Sequence, residues 1–202
     1  MTSRPAHNIV ISPLGDLAPD LLGPLRAEIT RIYRYPTEVL PLLDDLEFSF
    51  HPNRNQYHST SILEQLALKA PAGAIKVLAV VEVDLFIPIL THVYGEAQLG
   101  GMACMVSTIR LNEGHSALNT QQPFFGRIIK EAIHELGHTF RLRHCREHTC
   151  LMHYCRDERD VDRKSDQLCR YCKILLEDEI KRLAGGNYEF HQTPAARRGK
   201  SE

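Results

Sequence analysis

The stretch HELGHTFRLRHC, residues 134–145, brings His134, Glu135, His138, His144 and Cys145 close together along the chain. An α-helix turns about 100° per residue, so His134 and His138 fall about 40° apart on one face. Both imidazoles can then reach one ion, and zinc accepts imidazole nitrogen in tetrahedral geometry. Glu135 sits beside the first histidine, placed to hold a metal-bound water rather than the metal. A catalytic zinc lowers the pKa of that water from about 15.7 to about 7, and a glutamate can take its proton. His144 lies six residues past His138. In an unbroken helix it would point roughly 240° away. It joins the same ion only if the chain leaves the helix near residue 140 and turns sharply. Three histidines and a water would form an open, catalytic centre. The bland alternative is a chance His-Glu-x-x-His on an amphipathic helix, in a chain with 11 histidines. The pentapeptide alone does not separate the two.

A second donor set follows at once. Cys145 comes directly after His144, Cys150 five residues later, and Cys169-Arg-Tyr-Cys172 opens the last helix. A loop pair and a Cys-x-x-Cys in a first helical turn suit a closed four-cysteine zinc site, which is structural because protein fills all four positions. A helix N-terminus and a cation both favour thiolate. Two disulfides or buried reduced thiols are the other readings. Cys155 and His148 are spare donors nearby and could replace one of the four. Cys104 sits in an apolar strand context and reads as core.

These residues need elements to hold them. Residues 8–14 (NIVISPL) read as a strand, and Leu21, Leu22, Leu25, Ile29 and Ile32 mark a helix over 18–34 that Pro36 stops. A weaker strand covers 38–48. Ser61 and Glu64 suggest a capping box for a helix ending before Pro71. From Ile75 to Leu85 apolar residues occupy both faces of a strand, which is therefore covered on both sides. Residues 89–111 suggest two more strands. Pro123 suits the first turn of the helix that carries His134 and His138. A final helix over about 165–184 carries Leu168, Tyr171, Cys172, Leu175, Leu176, Ile180 and Leu183 on one stripe, and Gly185-Gly186 ends it. The pattern is a two- or three-layer α/β domain with a metal-stapled C-terminal part.

The chain has 202 residues, 43% hydrophobic and 24% charged, with a net charge of -1. Length and composition fit one soluble domain over 1–186, its upper part about 1–140 and its zinc-stapled part about 141–186, with 187–202 as a flexible tail. The near-neutral charge argues against nucleic acid, and no apolar run reaches the roughly 18 residues of a membrane span. The first residues lack a long apolar h-region, so the expectation is a cytoplasmic monomer whose clustered cysteines point to metal.

The residues from His134 to Cys172 resemble the archaemetzincins, a branch of the metzincin metallopeptidases. That family shows His-Glu-x-x-His-x-x-Gly-x-x-His-Cys, then four residues, Cys-x-Met, about seventeen residues and Cys-x-x-Cys. Here the run is HELGHTFRLRHC, REHT, CLM, sixteen residues and CRYC. NRNQYHS (53–59) and STIRL (107–111) are similar to further family segments. The resemblance implies two Zn2+ per chain. His134, His138 and His144 would hold the catalytic ion, and Cys145, Cys150, Cys169 and Cys172 the structural one. Glu135 becomes general base and acid. Met152 resembles the Met-turn methionine beneath the ligands, a role that overlaps with plain core packing. Tyr154 resembles a switch tyrosine that approaches zinc or a developing oxyanion; a buried structural tyrosine is the other reading. The implied fold is α/β: a metzincin-like, twisted, mixed five-stranded sheet with an antiparallel edge strand, backing helices and an active-site helix. A peptide or protein substrate would add along an edge within residues 91–105. The resemblance thus implies a zinc-dependent metallopeptidase. Arg141 departs from it, standing where the family has glycine. A left-handed conformation there costs a non-glycine residue roughly 1–2 kcal/mol. That departure supports a rival reading, a zinc-stabilised peptide or protein binding module with a degenerate or resting site. A zinc-ribbon nucleic-acid binder would fit the four cysteines alone.

Overall fold

The computed structural model describes residues 7–112 and 121–185. The expected tail over 187–202 lies outside them. In chain order the elements are β1 (Asn8–Leu14), α1 (Pro19–Tyr33), β2 (Thr37–Val39), β3 (Phe50–His51), β4 (Gln56–His58), α2 (Ser59–Lys69), β5 (Ala74–Val81), β6 (Leu85–Phe86), β7 (Gly95–Ala97), β8 (Ala103–Ser107), α3 (Gln121–Thr139), α4 (Glu158–Arg163) and α5 (Arg170–Ala184).

Five strands form one sheet in the order β2-β1-β5-β8-β7. β5 is fully buried and lies parallel to β1 and β8, with Val10 opposite Val77 and Leu78 opposite Cys104. Parallel strands need crossovers, and these place helices on both faces. On one face Ile9, Ile11, Leu78, Val80 and Val106 pack with α1 and α3 residues such as Leu25, Ile29, Ile128 and Leu136. On the other, Val10, Val77, Ala79 and Met105 pack with Ile62, Leu63 and Leu66 of α2. β7 runs antiparallel to β8, with Glu96 opposite Met105, and among the described residues it pairs on one side only. The edge expected within 91–105 is therefore Gly95–Ala97. A small second sheet, β3-β4-β6, was not expected. Among the described residues no helix is long and apolar enough to cross a membrane.

Several elements differ from expectation. The strand over 38–48 shrinks to Thr37–Val39: Leu40 N–H still donates to the Ile11 carbonyl at 2.9 Å, but Leu42 N–H leaves the ladder for Ser12 Oγ at 3.0 Å. α2 starts at Ser59, two residues before the proposed capping box, and Ser61 Oγ instead meets His58 Nδ1 at 2.8 Å. The last helix starts at Arg170, with Cys169 as its N-cap. Residues 165–168 stay extended enough for the Gln167 carbonyl to accept from Leu151 N–H at 2.9 Å. α4 went unforeseen although Asp157 caps it by accepting from Asp160 N–H at 3.0 Å. The stripe on α5 is also narrower than its pattern: Cys172, Leu176 and Leu183 are buried, whereas Tyr171 is 66% exposed.

Candidate active site

α3 packs against β8 and β7, so its inward face looks onto the sheet edge. His134 and Glu135 are buried there and His138 is partly buried one turn on. His134 Nδ1 faces the Leu151 carbonyl at 3.0 Å, and His138 Nδ1 faces the Leu142 carbonyl at 2.7 Å. A carbonyl accepts only, so hydrogen resides on each Nδ1 and leaves each Nε2 with a lone pair. Those two Nε2 atoms are 3.1 Å apart. Facing lone pairs repel, and a shared cation removes the repulsion. Tetrahedral zinc would hold two such nitrogens about 3.3 Å apart. Burial, then the charge of Lys164, pushes His134 well below the usual histidine range, and burial lowers His138 and His144. The rings are thereby kept in the neutral form that binds metal.

His144 joins them. Its ring centroid lies 5.3 Å from that of His134 and 4.9 Å from that of His138, and donor atoms of all three lie within 4.8 Å of one another. The helix ends to allow it. Leu142 N–H donates to the Gly137 carbonyl at 3.0 Å and Arg141 N–H to the His138 carbonyl at 3.0 Å. That pair of bonds is a Schellman termination, whose turning residue adopts left-handed φ. The turning residue is Arg141, at φ 63. Its side chain is engaged as well. Although 62% exposed, it reaches Glu179 at 3.5 Å, and its stem crosses Gly100, where a Cβ would meet Arg141 Cγ at 3.0 Å.

Met152 is fully buried beneath the histidine helix. A Cβ on Gly137 would lie 2.7 Å from Met152 Sδ, so glycine between the two helix histidines lets the thioether sit directly under them. Tyr33 supports the same turn, donating its hydroxyl to the Ile133 carbonyl at 2.6 Å and stacking on Phe140. Tyr154 is 51% exposed and packs edge-on to His144, so it is not a buried structural tyrosine. Glu135 lies in the same cleft of about 380 Å³. Burial, reinforced by Glu131, raises its carboxyl well above the usual range. Glu131, one turn earlier, faces the fully buried Lys164 at 2.5 Å. The i−4 spacing of Glu131 was readable from the sequence; the arrival of Lys164 from 33 residues further on was not.

The four cysteines converge in the same way. Cys145, Cys150, Cys169 and Cys172 have sulfurs within 4.8 Å of one another, with Cys145 and Cys169 at 3.7 Å. Zinc thiolates in a tetrahedron sit about 3.8 Å apart. All six cysteines are free thiols, so the disulfide alternative falls. Burial raises the Cys169 thiol, but the Cys172 N–H and neighbouring sulfurs outweigh it and bring it below its usual value. His148 instead meets His153 at 3.2 Å, and Cys155 lines the histidine cleft. Neither joins the cysteine cluster.

A model of peptidase family M54 matches residues 50–178. The chain is 34% identical to an archaemetzincin of Methanocaldococcus jannaschii over 84% of its own length and 93% of the relative's. The chain belongs to the archaemetzincins, peptidase family M54. The crystal structure of an archaemetzincin from Methanopyrus kandleri superposes with a TM-score of 0.75 at 28% identity, covering 90% of this chain and 100% of that one. A zinc-dependent peptidase from Methanocorpusculum labreanum gives a TM-score of 0.75 at 28% identity, covering 83% and 99%. Membership makes the chain a zinc metallopeptidase.

Within this archaemetzincin, two positions invite substitution. Arg141→Gly removes left-handed strain and forfeits only a largely solvent-screened ion pair. The metal-free protein is expected to gain about 1 kcal/mol, read as a higher urea midpoint after chelation; a lower midpoint would show that the Glu179 contact dominates. Gly95 is the opposite case, and sequence reasoning missed it. A Cβ there would lie 2.4 Å from the Met105 carbonyl and 2.6 Å from Glu135 Cγ. The edge strand thus approaches the active-site helix only because residue 95 lacks a side chain. Gly95→Ala is expected to displace Glu135 and cut turnover by about tenfold or more, with metal content unchanged in elemental analysis.

Proposed function

We propose that this archaemetzincin hydrolyses peptide bonds with Glu135 as its proton carrier. The observation that carries the reading is the convergence of three imidazoles beside Glu135 in a cleft that opens at a sheet edge paired on one side only. His134, His138 and His144 would hold a catalytic zinc, and Cys145, Cys150, Cys169 and Cys172 a structural one, giving two ions per chain. Zinc, when bound by the histidines, supplies a Lewis acid that polarises the scissile carbonyl and acidifies water. The substrate backbone pairs with the free edge of β7, which aligns the scissile bond over the histidines. Glu135 accepts a proton from the attacking water as the C–O bond forms. It then delivers that proton to the departing amine nitrogen as the C–N bond breaks. Tyr154, exposed on His144, is placed to donate its hydroxyl proton to the developing oxyanion. Met152 fixes the height of the helix turn that carries the two histidines. Six free cysteines suit a reducing compartment, and the reading places the protein in the cytoplasm.

Mass spectrometry of a mixed set of unmodified peptides tests the reading. Zinc-replete protein should generate products, a chelator should stop it, and added zinc should restore it. Products that persist in excess chelator would end the zinc-peptidase mechanism.

A further inference from the structure

Most of the charged side chains around the cleft have a place already. Glu96 on β7 accepts hydrogen bonds from Ser59 and Thr60 at the start of α2. Glu131 faces Lys164. Glu135 lies against Gly95 beside the histidines. Arg156 lines the same cleft, is exposed, and among the described residues its guanidinium has no ionic partner. Its backbone is nevertheless fixed. Arg156 N–H donates to Asp160 Oδ2 at 3.0 Å, and the other oxygen of that carboxylate accepts from Arg163 at 2.8 Å. Asp160 is therefore already used on the backbone and on another arginine, and Asp157, next to Arg156, accepts from Asp160 N–H at 3.0 Å as the cap of α4. What remains is a held cation with a free head, two residues past Tyr154.

A second basic surface competes for attention. A broad depression beyond His144 is lined by Arg141, Arg143, Arg146 and Arg170. It also contains Cys145, Cys169 and Cys172, and a zinc tetrathiolate there would carry a residual negative charge that these arginines offset. No member of the four-cysteine cluster lines the cleft of Arg156.

We infer that Arg156 is a specificity-determining residue that receives a carboxylate of the peptide substrate. This rests on the peptidase reading and deepens it. A guanidinium offers two parallel N–H donors that match a carboxylate in a bidentate pair, and the cleft's own acids leave those donors unused. The carboxylate is either an acidic side chain near the scissile bond or the C-terminus of a short peptide.

The test uses four peptides on one core sequence: neutral with an amidated end, Asp on the N-terminal side of the scissile bond, Asp on its C-terminal side, and neutral with a free C-terminus. Wild-type protein should give at least one carboxylate peptide a KM about tenfold below that of the neutral amidated one. Arg156→Ala should erase that gap, Arg156→Glu should invert it, and Arg156→Lys should restore it only in part. Zinc content and melting midpoint check that each variant is intact. The pattern among the three carboxylate peptides separates the two sources of the group. The same comparison is made by fluorescence anisotropy with labelled peptides on zinc-loaded Glu135→Ala protein, where no turnover is needed. A carboxylate preference in binding with no cleavage by wild type would sink the peptidase reading and keep this one. Equal KM and Kd for all four peptides, or a preference that survives Arg156→Glu, would overturn it.

Discussion

Glu135→Ala is expected to lower peptide turnover by roughly a thousandfold while both metal sites stay filled. The reasons are geometric. Glu135 stands outside the set of converging metal donors, which consists of His134, His138 and His144. It is buried beside the histidines. Losing such a group removes a proton carrier and a desolvation cost together, so the fold should not weaken. His134→Ala should behave differently. It deletes a donor whose tautomer is fixed by Leu151, and the catalytic metal should leave with it. Turnover assays paired with elemental analysis separate the two. Full activity in Glu135→Ala protein would mean that another group moves the proton.

Metal removal is the second large effect. Elemental analysis should find two zinc ions per chain, differing in lability. Three histidines leave a coordination position open to the cleft, whereas the four cysteines would fill every position of the other ion. A mild chelator should therefore strip one ion and leave the circular dichroism spectrum unchanged. Thiol modification, or Cys150→Ser, should release the second and unfold the C-terminal third. Among the described residues beyond 140 the elements are α4 and α5, joined by loops. An apparent binding free energy of about 10–16 kcal/mol for a structural zinc is comparable to the whole stability of a domain. One ion or none in carefully prepared protein would remove the two-centre reading. Retained structure after thiol modification would show that the core around Leu151, Val161 and Leu176 suffices without metal.

The sequence by itself determined the local pieces of this protein. His134 and His138 share a face because helix pitch is fixed by the backbone, so their spacing could be read without coordinates. The same arithmetic showed that His144 could join them only through a break in the helix, and the donor types suited zinc. β5 was legible as a strand covered on both sides because its apolar residues do not alternate. Tertiary structure decided the rest, for one physical reason: those features depend on which distant segments meet. Gly95 matters only because β7 is pressed against Glu135 of α3. Lys164 reaches Glu131 because the loop after α4 folds back onto α3. Arg141 endures left-handed φ where Gly100 and Glu179 happen to receive its side chain. α5 starts at Arg170 because residues 165–167 pair with the Thr149–Leu151 segment rather than extend the helix. Periodicity reports which face of an element is apolar; it carries no information about the partner that covers it.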